Sequence, residues 1–134
     1  MTTVIFACVH NAGRSQMAGA FFNALADPTK ARAISAGTRP GQHVHPEVVT
    51  VLREAGIDLA EAQPRQLTDE LAATAQLLVT MGCGEECPVV PGLRHDDWNL
   101  KDPQGLPVEE VRAIRDEVRL RVLALLVANG WQRH

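Results

Sequence analysis

The chain has 134 residues, 46% of them hydrophobic, and a formal net charge of -3, enough for one domain with a full core and too few for two. This mild acidity excludes the broad basic face that a phosphate backbone or an anionic lipid surface demands, so neither nucleic acid nor membrane is an expected partner. No apolar stretch reaches the roughly 20 residues of a membrane span and the chain starts without a charged leader, so a single cytoplasmic domain over residues 1–134 is expected.

In chain order, the continuous apolar run Thr3 to Ala7 has the pattern of a parallel strand covered on both faces. Residues Ser15 to Asp27, rich in Ala, Leu and Met and followed by Pro28, predict a helix. A second strand is expected over Ala31 to Gly37. A helix then runs from Pro46 to a stop at Gly56, with Val48, Val49 and Leu52 as its apolar positions. A short helix near Thr68 precedes a third strand, Gln76 to Met81. A fourth, charged strand around Leu93 to Trp98 reads as a sheet edge. The last helix, Pro107 to about Ala128, puts Val108, Val111, Ile114, Val118, Val122, Leu125 and Leu126 on one stripe.

Strands alternating with helices imply right-handed parallel crossovers, hence an α/β fold with a small doubly wound four-stranded parallel sheet flanked by helices. Ligands in such sheets sit beyond the carboxyl ends of the strands. Cys8 follows the first strand, Cys83 the third, and Asp102 stands a few residues beyond the fourth. Three cysteines are an odd number, which argues against a disulfide framework and leaves chemistry, metal binding or buried structural thiols to be weighed.

The loop Cys8-Val9-His10-Asn11-Ala12-Gly13-Arg14, with Ser15 opening the helix, carries the strongest signal. A loop of this length between strand and helix can aim successive amide hydrogens at one point, at the positive end of the helix. That makes Val9 to Arg14 candidate oxyanion ligands. Gly13 is expected to relieve the tight curve, and the forked guanidinium of Arg14 fits two oxygens of a tetrahedral anion. The same field favours a thiolate, so Cys8 reads as a nucleophile set in an anion cradle. Asn11 is expected to tie the loop through its side chain, Ser15 to cap the helix, to face the Cys8 sulfur, or both, and His10 to be exposed without an assignable task.

With these residues, the chain resembles the low-molecular-weight tyrosine phosphatase fold family, and within it the arsenate reductases that couple to thiols. The resemblance runs through the Cys8 loop and its helix, Ser35 to Thr38, Val79 to Pro88 and the Asp102-Pro103 pair. It implies Cys8 as nucleophile, Arg14 as oxyanion clamp, Ser15 as thiolate partner and Asp102 as general acid. Pro103 restricts the backbone of Asp102 to extended conformations that can aim its carboxyl across the site; Asp96 and Asp97 read as solvated edge charges.

Both activities of the family start with attack on a tetrahedral oxyanion, so other residues must separate them. The chain has no tyrosine, three Phe and two Trp, and Gln104 and Gly105 follow Asp102-Pro103 where phosphatase relatives carry an aromatic residue. Little is left to wall a phosphotyrosine ring. Cys83 and Cys87, by contrast, complete a plausible relay: one thiol attacks the Cys8 sulfur and expels arsenite, and the other resolves the disulfide. Alternative readings are a soft-metal or arsenite site formed with His43, His45 or His95, and idle loop thiols.

The reading is therefore an arsenate reductase serving arsenic detoxification, with phosphate or sulfate as substrate analogues. It is expected to be a monomer with no bound cofactor or metal and to draw on an external thiol reductant. Thioredoxin is the first choice of donor. The short spacing from Cys83 to Cys87 keeps mycothiol with a glutaredoxin-like protein open. A phosphomonoesterase and a non-catalytic oxyanion or arsenite sensor are the alternatives.

Overall fold

The computed structural model describes residues 1–81 and 90–133. Among these, four strands and four helices follow one another as β1 (Thr2–Cys8), α1 (Arg14–Leu25), β2 (Ala31–Gly37), α2 (Pro46–Glu54), α3 (Asp69–Ala72), β3 (Leu77–Thr80), β4 (Arg94–Asp97) and α4 (Val108–Asn129). The strands pair in the order β2-β1-β3-β4, all parallel. The expected α/β sheet is the one observed. The chain steps from β1 to one side for β2 and returns to the other side for β3, so the strand order reverses at β1, where such sheets open a crevice.

β1 holds the centre because it has apolar or small residues on both faces. Val4, Phe6 and Cys8 join the larger core cluster beneath α1, α2 and α4. Ile5 and Ala7 turn to the opposite face, where they meet Leu78 and the partly buried Leu67, Leu71 and Val90. The two layers are unequal: three long helices cover one face, the four-residue α3 and loops the other. α3 is short but capped, the Thr68 hydroxyl accepting from the Leu71 amide.

α4 buries Val111, Ile114, Val118, Val122 and Leu126, the centre of the expected stripe, while Val108 and Leu125 flank it half-buried. In α2 the buried set is Val48, Val51 and Leu52, so Val51 takes the inward place expected of Val49. Pro46 begins this helix and His45 is its N-cap residue. β4 is exposed throughout at the sheet edge. Its acids are not merely solvated, since Asp96 accepts from the Trp98 indole and Asp97 from the Thr80 hydroxyl. Among the described residues no helix is long and apolar enough to cross a membrane.

Candidate active site

β1 ends at Cys8, and α1 starts six residues later at Arg14. Six consecutive carbonyls, Cys8 to Gly13, accept hydrogen bonds from outside the loop. Their donors are the amides of Thr38, Arg39 and Gly41, the Gln16 side chain, and the amides of His45 and Met17, in that order. No peptide among the described residues is cis. In a trans peptide the N–H points away from the C=O, so the amide hydrogens of Val9 to Arg14 face away from these donors. The amides of His10 to Gly13 make no hydrogen bond within the described residues. Cys8, His10, Ala12, Gly13, Arg14, His45 and Asp102 line a small cavity at this turn.

The polarity of the side chains beneath the loop can be followed from one fixed donor. The Arg65 backbone amide donates to Asn11 Oδ1 at 2.9 Å, and a backbone N–H can only donate. That settles which end of the Asn11 amide is oxygen. Asn11 Nδ2 therefore donates to Ser15 Oγ at 2.7 Å. The Ser15 hydroxyl, thus supplied, has its own proton to direct at Cys8 Sγ, 2.8 Å away. Asn11 and Ser15 are fully buried and Cys8 nearly so. The Cys8 sulfur lies at the end of this chain, with the Ser15 hydroxyl as its side-chain partner.

Arg14 is 9% exposed. Its guanidinium donates to the Leu100 carbonyl at 3.1 Å, and its other terminal nitrogen lies 3.8 Å from Asp102 Oδ2. The remaining N–H groups are left for a ligand at the cavity. Asp102 is half-exposed; its Oδ1 accepts from the Gln104 amide, a turn that holds the carboxyl above the loop.

Three expectations change in detail. Ser15 does not cap α1: the N-cap residue is Gly13, without a side-chain cap, and Ser15 lies inside the first turn facing the sulfur. The left-handed residue of the loop is Asn11, at φ 50, whereas Gly13 has φ -139. Gly13 is small for a different reason, since a Cβ there would lie 2.7 Å from Cγ of Pro103. His10 is exposed as expected, yet its Nδ1 bonds the Arg39 carbonyl at 3.0 Å and helps hold the loop's outer flank.

The structure brings Cys8, Arg14, Ser15 and Asp102 together. Cys83 and Cys87 lie outside the described residues. Of the histidines weighed for a metal site, His45 reaches the Cys8 cavity and His95 bonds Thr80, so they serve different places. His45 is the site residue the pattern alone does not single out as part of the cradle; its position before the helix-starting Pro46 is the available signal. Gly37 is another. A Cβ there would lie 2.6 Å from the Val9 carbonyl, so a bare backbone is needed where β2 passes the loop.

A cysteine and an arginine bracketing a loop of outward carbonyls between β1 and α1 is an arrangement with known relatives. The family model described as low molecular weight phosphotyrosine protein phosphatase matches residues 3–132. The chain belongs to this family. Within it, the chain is 39% identical over 124 residues to a Halobacterium salinarum protein provisionally named arsenate reductase, covering 90% of this chain and 87% of that one. It is 32% identical over 129 residues to the glutaredoxin arsenate reductase of Synechocystis, covering 94% and 97%. The solved thioredoxin-dependent arsenate reductase of Corynebacterium glutamicum superposes with a TM-score of 0.80 at 36% identity. That match covers 96% of this chain and 61% of the longer Corynebacterium chain.

Membership of a phosphatase family raises the question of an aromatic substrate. All five Phe and Trp side chains are accounted for elsewhere. Phe6, Phe21, Phe22 and Trp98 are buried in the core. Phe6 packs on Phe22 at 5.9 Å and on Trp98 at 5.4 Å, and half-buried Trp131 packs on Phe22 at 6.1 Å. None lines the cavity at Cys8.

Proposed function

We propose that this protein is a cytoplasmic arsenate reductase. The observation that carries the reading is the Cys8 sulfur, 2.8 Å from Ser15 Oγ, at the head of a loop whose carbonyls all turn away from it. Similarity to relatives named arsenate reductase and the lack of any aromatic side chain at the cavity favour arsenate over an aryl phosphate.

Arsenate, a tetrahedral oxyanion of phosphate's shape, is held by the loop amides and the free N–H groups of Arg14. The Cys8 thiolate attacks arsenic, and Asp102 protonates the departing oxygen so that water leaves. The result is a covalent Cys8 arsenic adduct still at the pentavalent level. A second thiolate, Cys83, attacks Cys8 Sγ. A sulfur–sulfur bond forms, the sulfur–arsenic bond breaks, and arsenic leaves with the electron pair as arsenite. Cys87 then attacks Cys83, freeing Cys8 as a thiolate and leaving a Cys83–Cys87 disulfide. An external dithiol of the thioredoxin class supplies the two electrons that reopen it, and a low-molecular-weight thiol with a glutaredoxin-like partner is the competing donor.

The test is a single turnover of reduced protein with arsenate, quenched by alkylation and mapped by mass spectrometry. A disulfide joining two of Cys8, Cys83 and Cys87, with one arsenite released per chain, is expected, and a Cys8→Ser variant should release none. Arsenite release by that variant would remove the nucleophile. Turnover with Cys83 and Cys87 both left as free thiols would remove the relay, and tight phosphate binding with no arsenite release would recast the protein as a sensor.

A further inference from the structure

Gln16, two residues beyond the arginine of the loop, has no assigned role in the reaction described above. The residue is 6% exposed. Its Nε2 lies 3.0 Å from the Asn11 carbonyl, 3.1 Å from Asn11 Oδ1 and 3.2 Å from the Gln63 carbonyl. Two of these partners are backbone carbonyls, which can only accept, so the nitrogen end of the amide is fixed. One NH2 group, with two hydrogens, thus serves three oxygens.

Two of these contacts fall on the one described non-glycine residue with a positive φ, Asn11 at 50°. A flip of the peptide that follows would change ψ of Asn11 and φ of Ala12 and leave the left-handed φ of Asn11 in place, so the partner of the Asn11 carbonyl decides which way this peptide faces. If the Asn11–Ala12 peptide flipped, the Asn11 carbonyl would turn toward the cavity and the Ala12 amide away from it. An anion there would then meet an oxygen in place of a donor. Gln16 holds the Asn11 carbonyl on the outside and the Asn11 side chain in register with Ser15 and Arg65. Through Gln63 it also ties the loop to the segment that supplies the Arg65 amide.

We propose that Gln16 is a positioning residue that sets the curvature of the oxyanion loop. It acts through Asn11 and does not touch the substrate. The helix that carries Arg14 and Ser15 into the site carries this strut on the same turn, so the clamp, the sulfur's partner and the loop's shape move as one body. On its far side Gln16 borders a cavity of about 460 Å³ between α1, β2 and residues 59–65, from which water can replace a lost amide without restoring its hold on three oxygens at once.

The inference rests on the oxyanion cradle assigned above, and its test uses inorganic phosphate as the probe, so that it stands apart from arsenate turnover. Gln16→Met keeps the length and removes both donors. Gln16→Glu sets a carboxylate against three oxygens. Phosphate affinity of the reduced proteins is measured by calorimetry, and the rate of Cys8 alkylation by iodoacetamide at neutral pH is measured beside it. In the Met variant phosphate affinity should fall about tenfold, the worth of roughly one hydrogen bond, and alkylation should become less sensitive to added phosphate. The Glu variant should lose more. Both should retain the native circular dichroism and a cooperative melt. Wild-type phosphate affinity in a folded Met variant overturns the role, as does a drop in melting temperature with anion affinity intact. A wild-type protein that binds phosphate but never releases arsenite overturns the reductase reading and leaves this one standing.

Discussion

The Pro103 ring occupies the space a side chain on residue 13 would need: a Cβ at Gly13 would come within 2.7 Å of Pro103 Cγ and 3.4 Å of its Cδ. The contact couples the Cys8 loop to the segment carrying Asp102, whose carboxylate reaches within 3.8 Å of the Arg14 guanidinium.

Gly13→Ala should accordingly act on catalysis through Asp102. A buried proline ring has no rotamer into which it can retreat, so the 102–103 segment must shift. With Asp102 as the general acid proposed above, its displacement by part of an ångström should cost on the order of 10- to 100-fold in turnover. Arsenate turnover should fall by this much while phosphate binding to the loop changes little. A variant with wild-type turnover would mean that the segment yields freely and that Asp102 tolerates it.

Asn11→Gly separates the backbone from the brace. Glycine accepts φ 50 readily, so the turn survives, but Ser15 loses a donor and the Arg65 amide and Gln16 lose an acceptor. These buried groups should lower the unfolding free energy in urea by about 2 kcal/mol. Iodoacetamide alkylation of Cys8 at neutral pH should also slow, because the donor chain onto the sulfur is cut. Asn11→Ala should cost about 1 kcal/mol more, the penalty of a Cβ in the left-handed region. Equal stability of the two variants would contradict the strain assigned to this turn.

Away from the site, Glu54 joins α2 to α4 through Arg112 and Arg115, at 2.8 and 2.9 Å. The hydrogen bond from Arg112 holds the Glu54 carboxyl below its ordinary value of 4.5, and the same bond raises Arg112. A carboxyl depressed in the folded state binds its proton less readily there than when unfolded. Its stabilisation is therefore present above the unfolded value and lost as pH falls through the folded one. Urea unfolding should find Glu54→Gln less stable than wild type near neutral pH, by the small amount an exposed pair contributes. The gap should close below the carboxylate range. A gap that persists in acid would place its origin in packing.

How much of this was legible in the sequence depended on the range of the physics involved. The apolar run of β1, the bounds of β2 and the α4 stripe are repeats that neighbouring residues impose on one another, and each is found where expected. The cysteine, arginine and serine of the loop were readable for the same reason, since a strand, a turn and a helix start within eight residues of one another. The tertiary structure decided what depends on residues distant in the chain. Gly13 is small because of Pro103, and Gly37 because of Val9. Arg14 is pinned by the carbonyl of Leu100, and Asn11 is polarised by the amide of Arg65. Periodicity records which face of an element is buried. It holds no trace of which distant backbone group lies against that face, and at this site those groups set the direction of every donor.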